Sequence, residues 1–328
     1  MKLLRYAKNP ILEPDTSKPW ESGAVFNCGA NKLNDGRTIL LYRAIPKGYK
    51  KSPKGKGYSN YISSIGYATS INGYDFIKSK EPLIKPEESW ERYGCEDPRI
   101  THFKEDGNEI FFITYTALSN PAFSGKGNRV AAASTINFKD IKKHGFIIPD
   151  LNDKDAVLFG ERIRGKIVLL HRIEPSIQAI YFNSMEELIK PQDTFWENYK
   201  REIDKSVILK PEFKWESSKI GAGPPPVKTD KGWLLIYHGV DDKHIYRAGI
   251  ALLDMDDPSR IISRSPFPIL EPETSYEKYG DVNNVVFPEG ALVRENVLFV
   301  YYGAADKTCC LATAKLEDVF DYLGDFKR

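Results

Sequence analysis

Short apolar runs, rich in β-branched and aromatic side chains, recur along the chain at 38–43, 110–115, 167–172, 233–238 and 297–302. Runs of about six such residues bounded by turn formers predict buried β-strands. A second set follows them at 63–69, 129–134, 177–182, 247–252 and 309–314, richer in Ala, Gly and Ser. Small side chains there suit strands packed face to face between neighbouring sheets. Ahead of these pairs stands a repeated phrase: an apolar pair, a proline, an aromatic beside glutamate, then a polar cluster opening a strand. It reads Pro10-Ile11-Leu12-Glu13-Pro14 with Trp20-Glu21, and Pro82-Leu83-Ile84-Lys85-Pro86 with Trp90-Glu91. It returns as Val207-Ile208-Leu209-Lys210-Pro211 with Trp215-Glu216, and Pro268-Ile269-Leu270-Glu271-Pro272 with Tyr276-Glu277. The third copy is reduced to Ile147-Ile148-Pro149 ahead of Lys154-Asp155.

The last prolines of these copies lie 72, 63, 62 and 61 residues apart. A period of roughly sixty residues filled with short strands is the signature of a propeller or a similar array. With an opening strand and an outer one, each period makes a four-stranded antiparallel blade. Five blades packed radially leave only short, protected edges. The predicted fold is all-β: one five-bladed β-propeller domain over residues 1–328, with short peripheral helices at 185–204 and 316–323.

Composition fits that picture. Apolar residues at 41% and aromatics at 12% are ample for a continuous core. A net charge of +2 supplies no global basic field, which argues against nucleic acid as a partner. No segment has the length and apolarity of a signal peptide or a membrane span. Cys28, Cys95, Cys309 and Cys310 lack metal-site spacing and read as reduced residues in strands, so a cytoplasmic protein is expected. The five histidines lie in separate strands or loops, and no metal site is expected. The loop 46–61, carrying Lys47, Lys50, Lys51, Lys54 and Lys56 with Tyr58 and Tyr61, reads as a solvated insertion or as a lid.

In a propeller the inner strands converge on a central channel, and loops at one mouth build the site. The opening clusters are Asn27-Cys28-Gly29, Glu96-Asp97-Pro98-Arg99, Lys154-Asp155, Lys219-Ile220-Gly221-Ala222-Gly223-Pro224 and Asp281-Val282-Asn283-Asn284. A second ring comes from the ends of the second strands: Arg43, Tyr115, Arg172, His238 and Tyr302. Charges at an innermost strand need partners or a ligand. The acidic set is Glu96, Asp97, Asp155 and Asp281; the basic set is Arg43, Lys154, Arg172, Lys219 and His238. A pocket with more cations than carboxylates would want an anion, and forked arginines with a lysine suit phosphate. The same pattern also fits inter-blade salt bridges, and charge alone leaves both readings open.

The run Tyr93-Gly94-Cys95-Glu96-Asp97-Pro98-Arg99-Ile100 resembles the E-D-P-R signature of glycoside hydrolase family 130. Further motifs match in order: Lys154-Asp155-Ala156-Val157-Leu158-Phe159, His171-Arg172, Gly221-Ala222-Gly223-Pro224-Pro225-Pro226, Tyr237-His238-Gly239, Asn284-Val285-Val286-Phe287-Pro288 and Tyr301-Tyr302-Gly303-Ala304-Ala305-Asp306. The resemblance implies a propeller acting on β-mannosides, mostly as an inverting phosphorylase and in a minority of members as a hydrolase. It implies that Asp97 is the proton donor, acting through a sugar hydroxyl. It implies phosphate-binding roles for Arg43, Lys154, Arg172, Lys219, His238 and Tyr246. Substrate-binding roles are expected for Asn27, Arg99, Tyr115, Asp155 and Asp281.

In a hydrolase a second carboxylate must activate water; in a phosphorylase the phosphate is already anionic and needs cations instead. The stretch 215–226 keeps Lys219 and has no carboxylate after Glu216, which favours phosphorolysis. Cys28 and Gly160 stand where the family commonly has proline. No cofactor is expected beyond inorganic phosphate as co-substrate. The expected partner is an oligosaccharide, with self-association left open and a non-catalytic sugar-binding propeller as the remaining alternative.

Overall fold

The computed structural model describes residues 1–51, 57–105, 108–125, 127–148, 152–190 and 192–328. Lys54, Lys56 and Pro149 fall outside the described residues. Among the described residues five antiparallel sheets are arranged as blades, with a two-stranded ribbon besides. The first blade comprises Ala24–Lys32, Thr38–Ile45, Ser64–Ser70 and Ile77–Lys78, and the second Cys95–Glu105, Asn108–Leu118, Asn128–Thr135 and Lys142–Phe146. The third comprises Lys154–Leu158, Ile167–Arg172, Ile177–Phe182 and Val207–Leu209. The fourth is built from Lys219–Ala222, Gly232–Val240, Tyr246–Leu253 and Ile261–Arg264, with Val227–Thr229 added beside its second strand. In the fifth, Val286–Arg294, Val297–Ala304 and Thr308–Lys315 are completed by Leu4–Arg5 as the outer strand. The expected helices lie at Met185–Ile189, Asp193–Arg201 and Leu316–Gly324.

Alternation along the second strands explains how the ring closes. Side chains at i and i+2 share one face of a strand, so each strand feeds two gaps between blades. Ile39 and Leu41 pack toward the second blade, Leu40 and Tyr42 toward the fifth. Phe112 joins Leu169 between blades two and three, and Leu170 joins Leu235 between three and four. Ile236 joins Val300 between four and five. One apolar cluster fills each gap, so the core is a ring of wedges around the axis.

The repeated glutamates are buried pins. Glu21, Glu91, Glu216 and Glu277 are fully buried. The hydroxyls of Tyr42, Tyr115 and Tyr302 donate to Glu21, Glu91 and Glu277 at 2.7, 2.9 and 2.8 Å. In the fourth blade Arg264 joins the Tyr237 hydroxyl to Glu216. A cation on each outer strand completes the set: Lys78 with Glu21, Lys143 with Glu91, Arg264 with Glu216 and Arg5 with Glu277. A buried carboxylate needs this density of partners, which explains why an aromatic-glutamate pair recurs in four of the periods. The third blade has a different arrangement.

Candidate active site

In the first three blades the innermost strand breaks register with its neighbour, between Phe26 and Cys28, Glu96 and Arg99, and Lys154 and Val157. At each break sits a non-glycine residue in the left-handed region: Asn27 (φ 51°), Asp97 (φ 52°) and Asp155 (φ 58°). A bulge of this kind re-aims a side chain, and here all three line an axial cavity of about 430 Å³. Two glycines make room for them. A Cβ on Gly303 would stand 2.0 Å from Asn27 Oδ1, and one on Gly221 would stand 2.5 Å from Asp155 Oδ2.

The cavity wall carries Arg43, Lys154, Arg172 and Lys219, but also Glu96, Asp97, Asp155, Glu174 and Asp306. The expected surplus of cations is therefore absent, because each cation is already paired. Arg43 bonds Glu96, lies 3.3 Å from Asp97 Oδ1, and donates to the Tyr61 hydroxyl at 3.1 Å. Lys154 Nζ is 3.5 Å from Glu96 and 4.0 Å from Asp97. Arg172 reaches Asp155 Oδ2 at 2.8 Å, and Lys219 donates to Glu174 at 2.7 Å. Two charged groups result. One surrounds Asp97, with Arg43 and Lys154; the other joins Arg172, Lys219 and Glu174 beside Tyr246.

Asp97 accepts a hydrogen bond from Asn27 Nδ2 at 2.8 Å. Burial favours its neutral form, yet Arg43, Lys154 and Arg99 outweigh this and hold its pKa below the usual carboxylate range. Asp155 is likewise held low against burial, by Arg172 and Arg99. Burial drives His238 down to about 3. Its Nε2 accepts from Arg172 at 3.2 Å, so this histidine is neutral and stands behind Arg172 instead of presenting a charge to the cavity. Burial raises the Tyr246 phenol to about 12.

Four expected positions lie elsewhere. Tyr115 is consumed by Glu91, and Tyr302 by Glu277. Both are one residue out of register with Arg43, Arg172 and His238. The equivalent positions are Thr116 and Gly303, since strand partners aligned with the bulged inner strands run Phe26–Arg43, Glu96–Thr116, Lys154–Arg172, Gly221–His238 and Phe287–Gly303. A one-residue slip moves a strand side chain to the opposite face. Arg99 lies beneath the cavity, donating to Asp155 Oδ1 at 2.8 Å and to the Asp97 carbonyl at 3.0 Å. It also sits 3.1 Å from the buried Glu289, so it braces the acids from behind. Asp281 is taken by the Tyr49 hydroxyl, with Lys307 at 3.7 Å, beside Val282 of the wall. The described part of the loop 46–61 packs Tyr58 and Tyr61 against Phe123 at the cavity mouth with Tyr49 against both tyrosines, while Lys50 and Lys51 are exposed.

Glu174 and Asp306 are cavity residues that the sequence reasoning missed. Glu174 follows Arg172 by two, and Asp306 lies two residues past Ala304, the end of the fifth blade's second strand. Burial raises the Asp306 carboxyl to about 7, with Asp97 and Glu96 adding to the rise and Arg43 opposing it. An acid held more tightly folded than unfolded stabilises at low pH, and that contribution is lost as pH rises from about 4 to 7. Asp306→Asn is thus expected to raise the melting temperature by a few degrees at pH 8 and to leave it unchanged near pH 4. Thermal melts across pH check this, and equal shifts at both ends would contradict it.

A family model described as beta-1,4-mannooligosaccharide phosphorylase matches residues 2–325. The chain is 39% identical over 320 residues to a 1,2-beta-oligomannan phosphorylase of Thermoanaerobacter sp. (strain X514), covering 97% of this chain and 99% of that protein. A beta-1,2-mannobiose phosphorylase of the same organism is also 39% identical, over 324 residues, with 97% and 99% covered. Among solved structures, the beta-1,2-mannobiose phosphorylase of Listeria innocua in complex with beta-1,2-mannobiose superposes with a TM-score of 0.80. That match has 25% identity and covers 99% of this chain and 100% of that one.

Proposed function

Because the chain belongs to glycoside hydrolase family 130, we propose that it is an inverting phosphorylase of terminal β-mannosides, with 1,2-linked manno-oligosaccharides as substrates. The observation carrying this is the convergence of Lys154, Arg172, Lys219 and Tyr246 on the same cavity as Asp97. A phosphate oxygen attacks the anomeric carbon as the glycosidic carbon–oxygen bond breaks. The leaving oxygen takes a proton that originates on Asp97 and passes through a sugar hydroxyl. The products are α-mannose 1-phosphate and the shortened sugar, with Asp97 left as carboxylate. Lys154, Arg172, Lys219 and Tyr246 hold phosphate; Arg43, committed to Glu96 and Asp97, orients the acid. The test is incubation with a β-mannobiose panel, with and without inorganic phosphate. Mannose 1-phosphate is expected only when phosphate is present.

Glu174 favours a second reading. It is an exposed carboxylate on the cavity wall whose pKa is lowered chiefly by Lys219, and an ionised carboxylate so placed suits activation of water in a hydrolase. On the phosphorylase reading Glu174 competes with phosphate for Lys219 and Arg172, which lies 3.7 Å away. Glu174→Gln is then expected to lower the KM for phosphate several-fold with turnover retained. Loss of mannose release in that variant, with or without phosphate, would instead mark Glu174 as a hydrolytic base.

A further inference from the structure

Among the described residues the third blade shows no buried glutamate pin and carries a different polar chain in its place. His171 occupies the position that Tyr42, Tyr115, Tyr237 and Tyr302 hold in the other blades, immediately before Arg172 of the cavity wall. It is fully buried, with Nδ1 facing Asp153 Oδ2 at 2.5 Å and Nε2 facing the Tyr199 hydroxyl at 2.6 Å. Tyr199 sits on Asp193–Arg201, outside the blade, and its hydroxyl reaches Ser206 at 2.9 Å. Asp153 is the hub. Its Oδ1 accepts the backbone N–H of Arg172 at 3.1 Å, and its own N–H donates to the carbonyl of Asn128, another cavity residue, at 3.3 Å. The next residue is Lys154, paired across the strands with Arg172.

The backbone of Arg172 therefore hangs on one buried carboxylate, Lys154 directly follows the residue that bears it, and that carboxylate is oriented by a histidine anchored to a peripheral helix. In the other blades the corresponding carboxylate is anchored to an outer-strand lysine or arginine. In the third blade the outer strand Val207–Leu209 supplies no such cation, and the helical excursion before it supplies the tyrosine instead. We infer that Asp153, His171 and Tyr199 form a positioning relay that sets the placement of Lys154 and Arg172, and through them the affinity for phosphate. None of the three lines the cavity, so they act through the cations and not on the sugar or the anion. The inference rests on the phosphorylase reading. Orientation of a binding group within a few tenths of an ångström is what a supporting contact contributes, and misplacement by about 1 Å can cost up to about a hundredfold.

The experiment compares wild type with Asp153→Asn, His171→Gln and Tyr199→Phe. It measures KM for phosphate, KM for the mannoside and melting temperature, together with calorimetric binding of inorganic phosphate in the absence of sugar. Asp153→Asn is expected to raise the phosphate KM and dissociation constant about tenfold, with the mannoside KM changed less than twofold. Tyr199→Phe, which removes only the outermost hydroxyl, is expected to shift both phosphate constants in the same direction by about two- to fivefold. It keeps the inference testable if Asp153→Asn fails to fold. A merely structural role predicts a lower melting temperature with unchanged phosphate constants in the folded variants, and that result overturns the relay. Equal increases in both KM values overturn it as well. Wild-type protein that neither binds phosphate nor forms mannose 1-phosphate would defeat the reading beneath it, an outcome seen before any variant is compared.

Discussion

Asp97→Asn is expected to lower turnover by about 10²- to 10⁴-fold while leaving the fold intact, the range typical of a positioned general acid. The fold should survive because Arg43 keeps Glu96 and Tyr61 as partners when the Asp97 charge is removed. Asn27 Nδ2 still meets an oxygen if the new amide points its carbonyl that way. Near-normal turnover in a folded Asp97→Asn protein would sink the assignment. The resting state adds a constraint, since Asp97 is held ionised by Arg43, Lys154 and Arg99 and must gain a proton before it can give one. An anion arriving at Lys154 and Arg172 offsets part of that positive field, and a nearby negative charge raises a carboxylate's pKa. Phosphate binding should therefore take up protons near neutral pH, with Asp306, already at about 7, contributing. Titration calorimetry in buffers of different ionisation enthalpy reads the sign directly.

Arg172→Ala is expected to raise the KM for phosphate by roughly one to two decades, with a much smaller effect on the mannoside KM, because a charge-assisted contact is worth about 1.5–3 kcal/mol. The variant also strips Asp155 of one of its cations. Asp155 keeps Arg99 at 2.8 Å and has His238 at 3.5 Å, so the buried carboxylate is not left alone and the protein should remain folded. The melting temperature should fall most at neutral pH and least in acid. Arg172 helps depress the Asp155 pKa, and stability from a depressed carboxylate is present above its unfolded value and lost as pH falls. Kinetics at several phosphate concentrations, paired with melts, check both halves. An unchanged phosphate KM would remove Arg172 from the anion site.

Much of the architecture could be read directly because the forces behind it act locally. A buried glutamate pinned by a cation and tied to a tyrosine of the next strand leaves a durable mark, and Trp20-Glu21, Trp90-Glu91, Trp215-Glu216 and Tyr276-Glu277 are such marks. The inner polar residues Asn27, Asp97 and Asp155 were legible for the same reason: polar groups opening otherwise apolar strands need a destination. Which side chains of the second ring face the axis was not legible. That depends on strand register relative to a bulge, and Tyr115 and Tyr302 missed by a single residue. Charge balance was illegible too. Glu174 and Asp306 reach the cavity from loops after the strands, and sequence alone carries no sign of which loop residues turn inward. His238 shows the remaining gap, because its neutrality comes from burial behind Arg172, a tertiary fact.

The strand Leu4–Arg5 completes the sheet that also contains Thr308–Lys315, pairing Leu4 with Thr313 across more than 300 residues. During synthesis this segment leaves the ribosome some 300 residues before its partner, and at about 5–20 residues per second the wait is on the order of 15–60 s. Throughout that interval Arg5 has no Glu277, and the strand Leu4–Arg5 stays open to pairing with other chains. Blades one to four can order as they emerge, but the circle locks only when the fifth blade takes up Leu4–Arg5. That locking requires closing a loop of about 300 residues, whose entropic cost grows slowly with length.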